Sequence, residues 1–229
     1  MSSTILSTKR LSLAQKELVL HGNLGLVEYD AIHIRLVDFN FNGQYDCLVF
    51  TSQNAVLSYV RRKKLATPTL KGTVGNRAVC VGEKTALLLE RNGVEVLASA
   101  ANAKTLGQLI LEKFPDTSFL FVCGNLRREY LPCLFQKHNI RYKEVVAYET
   151  TLRPRLFKRK FDAILFYSPS GVQSYVALNA LANTTAVCIG PTTLAEAKKY
   201  THKVIQATKP TVENVIVQAV KYSSTAKNP

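Results

Sequence analysis

The sequence is short of acid. Sixteen Asp and Glu stand against 30 Lys and Arg in 229 residues, a formal net charge of +14. Such an excess points to a polyanionic partner or substrate, with a basic surface serving nothing specific as the plain alternative. Long apolar runs are also missing. Nowhere do about 18 apolar residues follow one another, so no membrane partner is expected. The N-terminal stretch Met1–Arg10 lacks the apolar run of a secretory signal, and a cytoplasmic location is expected. Cys47, Cys80, Cys123, Cys133 and Cys188 are odd in number and form no C-x-x-C pair. That argues against a disulfide framework or a thiolate metal site and for buried free thiols.

Several catalytic signatures are absent too. There is no G-x-x-x-x-G-K-[ST] and no G-x-G-x-x-G after a strand, which weakens nucleotide binding. No G-x-S-x-G elbow exists. His21, His33, His138 and His202 lack metal-ligand spacing, and paired carboxylates are scarce. Any catalysis is therefore expected to work by positioning and hydrogen bonding, with no cofactor and no metal. The basic runs Arg61–Lys64 and Lys158–Lys160 have no aromatic residues interleaved, only Phe157 beside the second and Tyr130 near other basic residues, so no nucleic-acid partner is expected. The first run reads as a solvated helix end.

What is present is alternation. Short apolar runs of strand length (Thr4–Ser7, Leu26–Tyr29, Cys47–Thr51, Ala78–Val81, Val94–Ala98, Phe119–Val122, Val145–Tyr148, Ala163–Tyr167, Ala186–Ile189, Val204–Gln206) alternate with stretches of helical period. That is the pattern of βαβ units and a largely parallel sheet. The tail Ser223–Pro229 is expected to be disordered.

The chain also repeats itself. Asp46–Val60 resembles Asp162–Val176 at about half the positions, Ala78–Gly82 resembles Ala186–Gly190, and Leu97–Ser99 is echoed by Gln206–Thr208. Order and spacing agree. A half-barrel repeat is one reading and two doubly wound α/β domains another; roughly ten strands are more than a barrel needs. In open α/β sheets ligands bind beyond the carboxyl ends of the strands. The repeat sets Thr51, Ser52, Ser168, Ser170, Thr85, Thr192 and Thr193 there, each turn opening a helix whose N–H groups favour anions. Singly, each is better explained as an ordinary N-cap; two matching sets move the balance toward a ligand.

These residues carry a resemblance. Phe50–Ser52 with Ala55-Val56, Val81-Gly82, Cys123–Asn125 with Arg128-Glu129 and Leu131, Val146–Thr150, Phe166–Gly171 and Ile189–Thr193 look, in order, like the uroporphyrinogen-III synthase family. The resemblance implies two doubly wound parallel-sheet domains, one discontinuous, joined by a two-stranded β-ladder, with a substrate cleft between them. The first would be residues 1–31 plus 154–229, the second 38–145, and the ladder 32–37 with 146–153. It implies a monomeric lyase without cofactor, converting hydroxymethylbilane, a linear tetrapyrrole with eight carboxylates, to uroporphyrinogen III. Loss of the hydroxymethyl hydroxyl leaves an azafulvene. The terminal pyrrole then attacks at its substituted carbon, and a spiro intermediate reopens and recloses with that ring inverted.

Tyr148 matches the family's ladder tyrosine and would donate the proton to the departing hydroxyl; on residues alone, a packing role is equally open. Arg10, Thr51, Ser52, Gly82, Thr85, Asn102, Ala103, Gly124, Asn125, Arg128, Ser168, Ser170, Gly171, Thr192 and Thr193 would bind substrate. A non-catalytic binding protein for an anionic small molecule is the rival reading.

Overall fold

The computed structural model describes residues 3–64 and 72–225. The chain divides into two compact units, residues 1–33 with 151–229, and 34–150. It opens with β1 (Thr4–Ser7), α1 (Leu13–His21) and β2 (Gly25–Glu28). Next come β3 (Ile32–Leu36), β4 (Gly43–Tyr45), β5 (Cys47–Phe50), α2 (Gln53–Lys64), β6 (Gly72–Val74), β7 (Arg77–Val81) and α3 (Glu83–Arg91). β8 (Glu95–Ala100), α4 (Ala103–Lys113), β9 (Phe119–Gly124), α5 (Tyr130–Lys137) and β10 (Tyr142–Leu152) follow. The chain then returns to the first unit with β11 (Ala163–Phe166), α6 (Pro169–Val176), β12 (Thr185–Cys188), α7 (Pro191–Ala197), β13 (Val204–Gln206) and α8 (Val212–Thr225).

The first unit holds a parallel five-stranded sheet in the order β13-β12-β11-β1-β2. Its three central strands, β1, β11 and β12, are buried on both faces, as parallel strands covered by helices must be. Ile5, Leu165 and Val187 face Val19 of α1 and Val215 of α8, whereas Leu6, Phe166 and Cys188 face Val172 of α6 and Ala197 of α7. The second unit holds a six-stranded sheet, β3-β10-β9-β5-β7-β8, all of whose internal pairs from β10 to β8 are parallel. Here α2 and α3 cover one face and α4 and α5 the other. β4 and β6 form a separate short parallel pair.

The repeat seen in the sequence is a repeat of structure. β5-β7-β8 and β11-β12-β13 occupy matching sheet positions in matching order. By position, β9 then corresponds to β1 and β10 to β2. The first unit is thus a circular permutation of the second: its β1-α1-β2 comes first in the chain, where the equivalent β9-α5-β10 comes last.

β3 is the antiparallel edge of the second unit's sheet. Val37 N–H donates to the Ala147 carbonyl at 3.0 Å, Arg35 pairs with Glu149 at 2.6 Å, and Arg153 N–H donates to the Ala31 carbonyl at 2.8 Å. The expected two-stranded ladder is therefore continuous with a sheet, because β10 is a single strand of 11 residues that pairs β9 on one side and β3 on the other.

Other expectations change on contact with the structure. α8 continues to Thr225, so residues 223–225 of the expected tail are helical; residues 226–229 lie outside the described residues. Cys47, Cys80, Cys123 and Cys188 are buried free thiols, but Cys133 is exposed. Arg62, in the run read as a solvated helix end, instead lies 4.8 Å from the Phe39 ring centroid and 5.0 Å from that of Phe41. Its Nε donates to the Phe39 carbonyl at 2.7 Å. A weakly hydrated guanidinium stacks on aromatic faces in a way that an ammonium does not.

Candidate functional site

A doubly wound sheet opens a crevice where strand order reverses direction, at the carboxyl ends of the two strands that flank the reversal. In the second unit those strands are β5 and β9. β5 ends in Phe50 and runs into Thr51 and Ser52; β9 ends in Gly124 and runs into Asn125. Gly82 follows β7 and Asn102 follows β8 on the same edge. The sequence thus predicted residues that the fold gathers along one edge of one sheet.

Tyr148 reaches this edge through an irregularity. β10 pairs β9 in regular register as far as Val146↔Cys123, but the next pair is Tyr148↔Gly124. Ala147 is an extra residue, a β-bulge. Val145 before the bulge and Ala147 at it pack in the core beneath α2 and α3, and Tyr142 packs on the opposite face. Strict alternation would send Tyr148 to the face of Tyr142. The bulge turns it to the face of Ala147, and its ring joins that core in part.

The seat is close. A Cβ on Gly124 would lie 2.4 Å from Tyr148 Cζ and 2.8 Å from its Oη. The phenol rests where glycine leaves room, near Ser52. Burial raises the phenol above its ordinary range, against a smaller opposing effect of Ser52. It is therefore protonated at neutral pH and able to donate.

The neighbours divide into free and committed groups. Ser52 Oγ accepts from Asn54 N–H at 3.1 Å, an ordinary cap-type contact. Gly82 precedes α3 with φ of 90°, a backbone conformation that residues other than glycine rarely adopt. Thr85 is buried within α3. Asn102 caps α4, its Oδ1 accepting from Thr105 N–H at 3.0 Å, and Ala103 is the first residue of that helix. Asn125 is tied to β10 rather than left open. Arg127 pairs with Glu144 and Glu129; those hydrogen bonds outweigh the burial that works against its charge. Arg128, by contrast, is exposed and enters no ion pair among the described residues.

The first unit reverses strand order between β1 and β11. β1 runs into Thr8, Lys9 and Arg10; β11 runs into Tyr167 and Ser168. Ser168 caps α6 by accepting from Gly171 N–H at 3.0 Å, and Ser170 is the second residue of that helix. Thr8 is buried and donates to the Leu165 carbonyl at 2.7 Å. A Cβ on buried Gly171 would lie 3.5 Å from Thr8 Oγ1. Thr192 and Thr193 open α7 after β12, Thr192 exposed and Thr193 buried. Arg10 is paired with Asp30 at 3.5 Å. Tyr167, which the sequence reading passed over, is held at this edge beside Ser7 (3.3 Å between hydroxyl oxygens) with Lys9 Nζ 5.8 Å from its ring centroid. Burial raises it well above the usual phenol range. The repeat held the signal, since Tyr167 stands where Thr51 stands in the other copy.

Among the described residues no group of His, Cys, Asp and Glu could hold a metal ion, and no helix is long and apolar enough to cross a membrane.

The model of the family described as uroporphyrinogen-III synthase HemD matches residues 26–216. The chain belongs to the uroporphyrinogen-III synthase family. The match takes in Tyr148 and every candidate residue from Thr51 to Thr193, and leaves Arg10 outside it. Among curated relatives, the uroporphyrinogen-III synthase of Saccharomyces cerevisiae is 26% identical over 195 residues, 70% of this chain and 68% of the yeast protein. The porphyrin biosynthesis protein HemD of Ruminiclostridium josui is 24% identical over 190 residues, 76% of this chain. The chain spans only 37% of that longer protein. Uroporphyrinogen-III synthetase of Helicobacter pylori superposes with a TM-score of 0.68 at 21% identity, covering 97% of this chain and all of that one. A mutant uroporphyrinogen III synthase of Thermus thermophilus gives 0.70 at 14% identity, covering 98% and all of that chain. These synthase structures establish the shared α/β fold.

Proposed function

We propose that this chain is a uroporphyrinogen-III synthase: a carbon–oxygen lyase that closes hydroxymethylbilane to uroporphyrinogen III, inverting the terminal pyrrole and releasing water. The observation that carries the reading is the seat of Tyr148, a protonated phenol that the bulge at Ala147 turns onto a glycine at the reversal point of the second unit's sheet.

In this reading Tyr148 donates its proton as the hydroxymethyl C–O bond breaks, and the hydroxyl leaves as water. The pyrrole nitrogen supplies the electron pair and loses its proton, leaving an azafulvene. The terminal pyrrole attacks through its substituted carbon, the spiro intermediate fragments, and reclosure with loss of a carbon-bound proton restores aromaticity and the proton inventory. Closure without inversion yields the type I isomer, so the protein must hold the inverting geometry. Thr51, Ser52, Gly82, Asn102 and Arg128 in the second unit, and Ser168, Ser170 and Thr192 in the first, would take substrate carboxylates through hydroxyls, helix-start N–H groups and charge. The net charge of +14 suits an octacarboxylate. No cofactor, nucleic acid or membrane enters the reading; the protein would act as a cytoplasmic monomer.

The test generates hydroxymethylbilane in situ, adds the protein, and separates type I from type III products. Type III product is expected, and product left wholly as type I overturns the proposal. A binding protein would leave it so while still retaining the ligand. Tyr148→Phe should lower kcat by about 100-fold or more with little change in KM. Full activity in that variant removes the proton-donor role.

A further inference from the structure

β9 ends at Gly124, yet β10 continues to Leu152. Past Tyr148, the last residue paired with β9, β10 therefore has no strand residue beside it where β9 ran. Asn125 stands in for one. Its N–H donates to the Tyr148 carbonyl at 3.2 Å. Its Oδ1 accepts from Thr150 N–H at 2.8 Å, and its Nδ2 donates to the Thr150 carbonyl at 3.4 Å. The side-chain amide thus imitates the next peptide of a strand that has already turned away. Three bonds grip β10 at Tyr148 and two residues beyond it. A bulge leaves its ladder locally disrupted, and on the β9 side these bonds restore pairing beyond it.

We propose that Asn125 is a positioning residue: its amide latches β10 after the bulge and so keeps the Tyr148 phenol seated over Gly124 beside Ser52. The proposal rests on Tyr148 as the acid for its consequence in catalysis, but not for its geometry. It replaces substrate binding, the role that the resemblance suggests for Asn125, and the two roles rank variants in opposite order. Asn125→Asp keeps an oxygen to accept from Thr150 N–H, with a charge-assisted bond, and exchanges only the longer bond for an oxygen facing the Thr150 carbonyl. Asn125→Ala loses both. A residue that positions β10 ranks Asp above Ala. A residue that touches an octacarboxylate ranks Ala above Asp, because the aspartate repels the substrate.

The closing experiment uses the full chain without substrate. Tyrosine rings are labelled with carbon-13, the Tyr148 signal is assigned by its loss in Tyr148→Phe, and its alkaline titration is followed by NMR. The wild-type midpoint is expected above the ordinary phenol value of about 10. Asn125→Ala should bring it down toward that value as the ring reaches water, whereas Asn125→Asp should keep it raised. Exchange of the Thr150 amide should speed up in the alanine variant alone. If Asn125→Ala does not fold, the isosteric Asn125→Leu takes its place. A Tyr148 midpoint unchanged in the variant that lacks the amide, or one lowered equally in Asn125→Asp, overturns the proposal. In turnover, the alanine variant should lose kcat by about 100-fold, as misplacement of a catalytic group does, with the type III fraction falling and KM steady. A wild-type chain that makes no type III product would sink the functional reading yet leave the titration result standing.

Discussion

At the scale of single residues, Gly124 is the tightest constraint around Tyr148. An added Cβ would meet the phenol's Cζ at 2.4 Å, a distance that something must relieve. The atom it meets is the far end of a side chain rather than backbone, so the chain should relax by turning the ring out instead of unfolding. Gly124→Ala is expected to keep its far-ultraviolet spectrum and melt cooperatively. It should lose the type III fraction and titrate Tyr148 near the ordinary phenol value of about 10. An alanine variant with wild-type turnover would show that the ring's seat on Gly124 is packing alone. The same contact fixes an alkaline limit in the wild type. The donor is active while protonated and its value is raised, so the limb of kcat assigned to it should lie above about pH 10, absent from Tyr148→Phe.

At the scale of elements, capping and binding make separable demands on the same side chains. Asn102 holds Thr105 N–H at 3.0 Å at the start of α4. Its loss in Asn102→Ala should cost about 1 kcal/mol by urea denaturation, and Asn102→Ser should recover most of it. If Asn102 also binds substrate, KM rises in both variants; if it only caps, KM stays put. Elements also explain what the sequence did and did not reveal. The parallel strands are runs of buried residues bounded by Ser and Thr turns, and the repeat carried Thr51-Ser52 and Ser168 to corresponding strand ends, so that part was legible. α1 was not legible from periodicity, because only Val19 is buried while Leu13 and Leu20 face solvent. Its real signal is the capping box of Ser12 with Gln15. The bulge at Ala147 left no mark either, since Val145–Tyr148 reads as a regular strand. A register shift depends on the neighbouring strand, and the sequence of β10 alone cannot encode it. The amide of Asn125 is similar: its partner Thr150 lies 25 positions away.

At the scale of the whole molecule, the buried thiols set a stability limit before the charge does. Cys47 and Cys188 are pushed by burial from an ordinary value of 9.0 to about 12, and Cys123 to about 11. All three are at most 2% exposed. In the unfolded chain they ionise from pH 9 upward, whereas in the folded chain they stay protonated until about 11–12. Raised folded values mean that this stability is fully present below pH 9 and is lost as pH rises through the interval, because the unfolded state sheds protons first. Lysines complicate the picture only from about pH 10.4, where losing their charge eases the repulsion of a basic chain. Between pH 9 and 10 the thiols should therefore dominate. Three groups at 1.36 kcal/mol per unit, over the one unit from pH 9 to 10, give a loss of about 4 kcal/mol by pH 10 relative to pH 7. Urea midpoints measured under reductant at pH 7, 9 and 10 should fall mainly over the last step. A triple variant with alanine at Cys47, Cys123 and Cys188 should start less stable at pH 7, from lost packing, but lose most of the fall to pH 10, with Cys80, a fourth buried thiol raised by burial, carrying the rest. A triple variant that falls as steeply as the wild type would assign the alkaline loss to other groups, with Cys80 and then Tyr29, both raised by burial, the first to examine.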